Sequence, residues 1–417
     1  METHALISND AVVFGILAML LAFVFWSSGK RAQKFFTGFY RIFPPLLICY
    51  FLPSLLTTFS IVDPEQSNLY FVASRFLLPA ALVILTAVAD LPATLRLGPK
   101  ALALFATGTF GVIIGGPIAL LIASAFAPDL LGVEGPNAVW RGMATVAGSW
   151  IGGAANQTAI REIFGVGPDA FSAWVAVDVI VANIWMAVLL AFAANQEKVD
   201  KWLKADRSAL SEVKRKAEEY EAAHARIPTL KDLIFILAIG FGATAFAHAG
   251  ADILAPFFRE KFPDAAQFSV HSTFFWIIVF ATMIGVVLSF TKARSLQGAG
   301  AMKVGSVFVY ILVATVGLNM NIRALTETPA FFLIGGLWIS IHAGLLILVA
   351  KLIRAPSFFL AVGSQANIGG AASAPVVAAA FHPNLAPVGA LLAVLGYVAG
   401  TFGAWFCGQV MRIVAGQ

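Results

Sequence analysis

Stretches of roughly twenty apolar residues recur from one end of this chain to the other, and each is long enough to cross a hydrocarbon layer about 30 Å thick. Within lipid the protein must satisfy every backbone N–H and C=O itself, so only helices and closed barrels span it. The ten-residue polar/apolar alternation of a lipid-facing barrel is absent from the sequence. Apolar residues fill 59% of 417 positions, charged residues 12%, and mean hydropathy is +0.86, whereas a soluble domain carries about 25% charged residues. The sequence therefore predicts an all-α polytopic membrane protein.

Twelve apolar segments fall into two groups of six, separated by one long charged stretch from Glu197 to Lys231. The first group covers Ala11–Trp26, Gly38–Phe59, Phe71–Ala89, Ala101–Ala127, Ala138–Phe164 and Ala170–Ala194. The second covers Leu233–Leu254, Thr273–Phe290, Met302–Leu318, Pro329–Leu352, Ala355–Ala380 and Leu385–Val414. Residues 1–196 and 232–417 are thus expected to be two repeats, joined by a charged cytoplasmic linker helix over 197–231. The first segment has neither a basic stretch before it nor a small-residue cleavage site after it, so it is expected to be a retained helix rather than a signal peptide.

The fifth segment of each group carries the evidence for repetition. Ile151-Gly152-Gly153-Ala154-Ala155-Asn156-Gln157-Thr158 stands where the second group reads Ile368-Gly369-Gly370-Ala371-Ala372-Ser373-Ala374-Pro375. Polar residues cluster around both glycine pairs, and a long final segment follows each. Asp90-Leu91 and Asn321-Ile322, each after a third segment, are a further candidate correspondence.

Basic loops face the cytoplasm, so Lys30, Arg31, Lys34, Arg96 and Lys100 place the first and third loops inside. Asp63, Glu65, Asp129 and Glu134 mark the second and fourth as outside. In the second group the basic loops, with Lys292, Arg294 and Lys303 and then Lys351 and Arg354, follow even-numbered segments instead. The halves are therefore read as inverted. Six crossings per half would give parallel repeats, so one segment in each must not cross, and the glycine-rich fifth segments are the natural choice. The expected architecture is about ten transmembrane helices plus two broken or re-entrant segments in an inverted repeat, an arrangement that secondary transporters use.

Those segments hold the candidate site. Gly152, Gly153, Gly369 and Gly370 let the backbone unwind, so that helix N-termini can face an anion and freed carbonyls a cation. Asn156, Gln157, Thr158, Ser364, Gln365, Asn367 and Ser373 offer uncharged donors and acceptors for a small polar or anionic solute. Asp178 lies mid-segment among apolar neighbours, where a carboxylate costs roughly 2.5–3.5 kcal/mol on insertion scales. It is expected to bind the coupling ion, as a Na⁺ ligand or a proton carrier, with Asn183 beside it. The competing readings are that the glycines only permit close helix packing while the amides bond across helices, and that Asp178 pairs with Arg141 or is hydrogen-bonded inside the bundle.

Other polar residues invite simpler explanations. His342 reads as a hydrogen-bonded packing histidine more readily than as a proton relay. His248, Asp252 and Asp90 lie near segment ends, where interfacial water suffices. Gly111–Gly115 and Gly396–Gly400 have the spacing of helix contacts. Cys49 and Cys407 sit inside apolar segments as buried thiols, and the mixed charges of Lys198–Glu221 suit a solvated or membrane-surface helix. Asn156-Gln157-Thr158 matches a glycosylation acceptor only by chance, being within a membrane segment.

Leu95-Arg96-Leu97-Gly98-Pro99-Lys100-Ala101, Ser149-Trp150-Ile151-Gly152-Gly153 and Ser364-Gln365-Ala366-Asn367-Ile368-Gly369-Gly370 resemble the YjcL-like family of integral membrane proteins, and the resemblance covers nearly the whole chain. That family looks related to bile-acid sodium symporters, cation/proton antiporters and 2-hydroxycarboxylate carriers. The kinship implies a broken-segment fold and ion coupling, and it implies no substrate.

The functional expectation is an ion-coupled secondary transporter of a small polar or anionic organic solute, driven by Na⁺ or H⁺ and needing no other cofactor. It would act in the bacterial cytoplasmic (inner) membrane. Its partners would be the solute and the bilayer, not nucleic acid, with a homodimer left open. Alternatives are a cation/proton antiporter without organic substrate and a non-transporting scaffold or sensor. An enzyme is not expected, because His-Glu-x-x-His, Gly-x-Ser-x-Gly and phosphate-cradling motifs are missing.

Overall fold

Apolar runs bounded by Asn, Thr, Pro and Gly fold here as helices with conventional ends. In the computed structural model, residues 6–29, 35–36, 39–40, 45–88, 97–128, 133–206, 227–320, 330–382 and 385–417 are described. In chain order the helices are α1 (Asp10–Ser27), α2 (Pro45–Thr58), α3 (Leu69–Ala87), α4 (Pro99–Phe126), α5 (Val139–Gly152), α6 (Ala154–Phe164), α7 (Pro168–Ala194) and α8 (Gln196–Leu203). Then come α9 (Leu230–Lys261), α10 (Thr273–Ser289), α11 (Ala301–Leu318), α12 (Ala330–Leu352), α13 (Ser357–Ile368), α14 (Gly370–Phe381) and α15 (Ala386–Val414). Asn9 caps α1 through its side chain, and Thr229 and Asp232 form a reciprocal capping box on α9. These caps satisfy N–H groups that would otherwise lack partners.

Among the described residues, eight helices are long and apolar enough to cross a membrane, and α2 and α10 are shorter apolar helices. These ten apolar helices match in number the crossings the sequence predicts. Large apolar side chains such as Phe110, Phe246, Ile253 and Val287 lie on the outer surface, as expected for faces turned to lipid. Asp90, Asn321, the basic residues Lys30, Arg31, Lys34 and Arg96, and Asp129 lie outside the described residues, so the loops they mark are not placed.

The remaining two segments are helical hairpins. In the first, Gly148 of α5 lies against the backbone of Asn156 and Gln157 in α6, and Arg141 near the start of α5 donates to Phe164 O at the end of α6. Below them Gly167 N donates to Pro136 O at 2.7 Å. Such pairing requires the chain to reverse at Gly152-Gly153. The second hairpin is built alike: the Gln365 amide donates to Ser373 at 2.7 Å, and the rings of Phe358 and Phe381, near opposite ends of the segment, lie 5.5 Å apart. At 12 residues, α13 is about 18 Å long, little more than half the thickness of a hydrocarbon layer of about 30 Å.

The hairpins enter from opposite faces. From the base of the first, α7 runs 27 residues, about 40 Å, to the short helix α8. Asp200 of α8 then accepts from Ser357 N and Oγ at 2.8 and 2.6 Å, capping the start of the second hairpin. The sequence suggests a solvated or membrane-surface helix over Lys198–Glu221, of which 207–221 lie outside the described residues. The described part begins as an eight-residue helix with Asp200 and Leu203 buried, docked beneath α13. We call this side the linker face. Trp140 donates to Gln417, and Ile7 N to Ile61 O, so Ile7 and Gln417 lie on the other side, which we call the terminal face.

Each sequence half contributes to two packed bundles. In the outer bundle, α3 packs on α9, α10 and α11, while α2 packs on α1 and α11. In the hairpin bundle, α4 packs on α12, α13 and α15; α15 covers α5 and α14; and α7 touches both hairpins. Glycines allow the closest approaches: a β-carbon on Gly111 or Gly115 would strike His342 or Trp338, and one on Gly396 or Gly400 would strike Ile151 O or Asn156. These are the helix contacts their spacing suggests.

Candidate functional site

At each hairpin tip the two glycines do different work. A β-carbon on Gly152 would fall on the Asn156 amide and Gly396 O, and one on Gly369 would fall on Ser373 Oγ and the Gln365 amide. The second glycines, Gly153 and Gly370, have φ of +79° and +56°, with nothing near a built β-carbon. The first of each pair is therefore fixed by space and the second by backbone conformation. Helix α6 begins on Gly153 and α14 on Gly369, neither with a side-chain cap. Free N–H groups and the positive end of a helix dipole are left at each tip.

Both tips open onto one cavity of about 160 Å³ between the bundles. Gly153, Ala154, Gly369, Gly370 and Tyr397 line it from the hairpin bundle; Leu85, Ser306 and Tyr310 line it from the outer bundle. A larger apolar cleft of about 660 Å³ shares Met302, Ser306 and Tyr310 with it and runs along α1 and α11 toward Gly300 and Lys303. Those residues adjoin the α10–α11 turn on the linker face, so the cleft extends toward that side. None of Asn156, Gln157, Thr158, Ser364, Gln365, Asn367 and Ser373 is among the lining residues.

The polar side chains of the first hairpin instead converge on Asp178. This carboxylate, 3% exposed, accepts from Trp150 Nε1 at 2.7 Å and Gln157 Nε2 at 2.9 Å. Gln157 Oε1 in turn accepts from the Tyr50 hydroxyl of α2 at 3.3 Å. Asn156 spans Gly152 O and Thr401, whose hydroxyl lies 3.4 Å from Thr282 on α10. The Asn156 and Gln157 networks thus both cross from the hairpin bundle to the outer one. Thr158 bonds back to Ala154 O.

The second hairpin faces inward. Ser364 Oγ lies 2.8 Å from His342 Nε2 and accepts from Trp185 Nε1 at 2.8 Å, while His342 Nδ1 lies 3.0 Å from Gly108 O. Asn367 donates to Phe105 O and Gly363 O and accepts from Thr109. Ser373 and Gln365 bond to each other. All these partners belong to the hairpin bundle.

Asn183 is not among the donors around Asp178; its amide turns back to Val179 O at 2.7 Å. Arg141 reaches Phe164 O and stacks on Trp140 rather than pairing with Asp178. His342 is a buried, hydrogen-bonded packing histidine, and His248 bonds to Arg75 O. Cys49 and Cys407 are free, buried thiols. Among the described residues no group of His, Cys, Asp and Glu could hold a metal ion by side chains alone. Sequence reasoning passed over Tyr50, Trp150, Tyr310 and Tyr397, which read as ordinary apolar-segment aromatics. It also passed over Arg161-Glu162, whose signal was available: two charges inside the fifth apolar segment.

Residues 15–414 match one protein family, and the chain belongs to it: DUF819, a family of proteins of unknown function. No curated protein matches the chain.

Proposed function

For this member of the family, we propose an ion-coupled secondary transporter of a small polar or anionic solute. It works by alternating access, with the hairpin bundle moving against the outer bundle. The observation that carries this reading is the shared cavity: two re-entrant tips, entering from opposite faces, open onto one space at the seam between bundles. Irregular backbone at membrane depth is tolerated only against protein or a wet cavity, and opposed half-helix ends at the midplane suit solute and ion binding. We read the halves as inverted repeats, because each contributes three helices to the outer bundle and a hairpin with two helices to the other.

In this reading the cleft along α1 and α11 is the solute's route to the linker face, which the positive-inside pattern assigns to the cytoplasm. Asp178 carries the coupling ion, Na⁺ or H⁺. A membrane potential contributes about 2.3 kcal/mol per charge per 100 mV to such coupling. Reconstituted protein is expected to accumulate a small organic acid against its gradient when a Na⁺ or proton gradient is imposed. Cation exchange without any solute would favour the antiporter reading, and absence of both fluxes would refute transport.

A further inference from the structure

Arg161 is 7% exposed, in a protein that reads as membrane-embedded, and its Nη1 is buried with no hydrogen-bond partner. It makes no ion pair among the described residues. Its guanidinium instead lies between two rings, 5.0 Å from the centroid of Tyr70 and 4.7 Å from that of Phe171. Ring faces stabilise the charge, but guanidinium donors point outward in their own plane and still require acceptors.

The acid beside Arg161 does not supply one. Glu162 pairs with Arg75 at 3.1 Å and accepts from the Tyr70 hydroxyl. Arg75, over the ring of Phe274, also has a buried Nη1 without a partner. The cluster therefore holds two guanidinium groups against one carboxylate, at the seam where α6 of the hairpin bundle meets α3 of the outer bundle. Asp178, the other nearby acid, is engaged by Trp150 and Gln157. A buried cation of this kind is tolerated where an anion can join it.

Position suggests which anion. Four residues separate Gln157 from Arg161, so they share a face of α6 about one turn apart. Arg161 lies on the terminal-face side of the Asp178 group, farther along the helix that starts at the cavity. A solute leaving the hairpin tips along α6 toward that face meets it next.

We propose that Arg161 is the receptor for an oxyanion group of the solute, a carboxylate or phosphate. It sits on the path between the hairpin-tip cavity and the terminal face, with the two rings holding the guanidinium plane ready for bidentate contact. The identity of the ligand as solute rests on the transport reading; the oxyanion site itself does not. A planar fork is what distinguishes Arg from Lys at such a site.

The test uses the full-length purified protein, with inorganic phosphate and, separately, acetate as probes, and chloride to hold ionic strength constant. Thermal unfolding is expected to shift upward saturably with at least one oxyanion. Arg161→Gln should abolish the shift. Arg161→Lys, which keeps the charge and guards against a Gln variant that does not fold, should raise the half-saturating concentration about tenfold. Saturation by neither probe overturns the proposal, as does saturation that is unchanged in Arg161→Lys. Gradient-driven uptake by the wild type is scored independently. Uptake together with an unresponsive Arg161 sinks this site alone; an oxyanion site without uptake sinks the transport reading alone.

Discussion

At both hairpin tips the first glycine has no room for a β-carbon and the second takes a positive φ, yet the side chains around them serve different neighbours. The first hairpin sends Gln157 to Asp178 and Tyr50, and Asn156 through Thr401 toward Thr282, so its polar groups bind a carboxylate and cross the seam. The second ties Ser364 and Asn367 into α4, α7 and α12 of its own bundle. A shared Gly-Gly arrangement thus accompanies a charged, seam-crossing network on one side and an anchor on the other. The lesson is that backbone shape specifies where the tips meet, while only the first hairpin engages a buried carboxylate.

That asymmetry is broken most directly by removing its charge. Asp178→Asn is expected to abolish ion-dependent uptake in reconstituted vesicles while leaving a folded protein, because one acceptor oxygen remains for Trp150 or Gln157. Asp178→Ala leaves both donors without an acceptor, each costing about 1–3 kcal/mol, and should lower the unfolding temperature clearly below that of the Asn variant. On the other hairpin, Ser364→Ala strands the Trp185 donor and should cost stability of the same order, yet ion dependence should survive. Loss of ion dependence in Ser364→Ala would make the two hairpins equivalent and end the comparison.

The glycines test what the hairpins share. Gly152→Ala and Gly369→Ala force a methyl group into occupied space, an overpacking cost of about 1–3 kcal/mol. Gly153→Ala and Gly370→Ala meet no atoms and bear only a backbone penalty: about 1–2 kcal/mol at the positive φ of Gly370, and toward the top of about 1–3 kcal/mol at Gly153, whose φ of +79° with ψ of −176° is an essentially glycine-only conformation. Of the four variants Gly370→Ala should therefore lower the unfolding temperature least. A loss there as large as in Gly369→Ala would show that open space at the second glycine does not spare it.

Much of this was legible in the sequence. Apolar run lengths gave the crossings, and the paired Gly-Gly motifs marked both hairpins, because unwinding at membrane depth needs glycine. Asp178 stood out through its desolvation cost. What could not be read was partner choice. Five residues along a helix turn the chain by about 140° net, so Asn183 points away from Asp178, whereas Gln157 and Trp150 arrive from a different segment. Tyr50 and Tyr70 are distant in sequence from the hairpin residues they meet, and nothing local to either predicts the contact. The grouping of helices into two bundles is set by glycine-sized contacts such as Gly335 against Val177, which hydropathy does not register.

The finest distinction concerns the seam itself. Tyr50→Phe removes the hydroxyl that joins α2 to Gln157, and Thr282→Val removes the α10 end of the Thr401 contact. Each lost bond is worth about 0.5–1.5 kcal/mol, so thermal stability should change little. If the hairpin bundle slides on the outer bundle, however, these bonds exist only in the conformation described here. Weakening them should shift the population between conformations by about twofold to twelvefold for that energy. Cross-linking rates between cysteines placed across the seam, one on the α2 surface and one on α6, should change in both variants and change further in the double variant. The corresponding cut in the second hairpin, Asn367→Ala, breaks bonds within one bundle and should lower stability without altering the cross-linking rate. Equal effects of Tyr50→Phe and Asn367→Ala on that rate would mean that the seam is not the sliding surface.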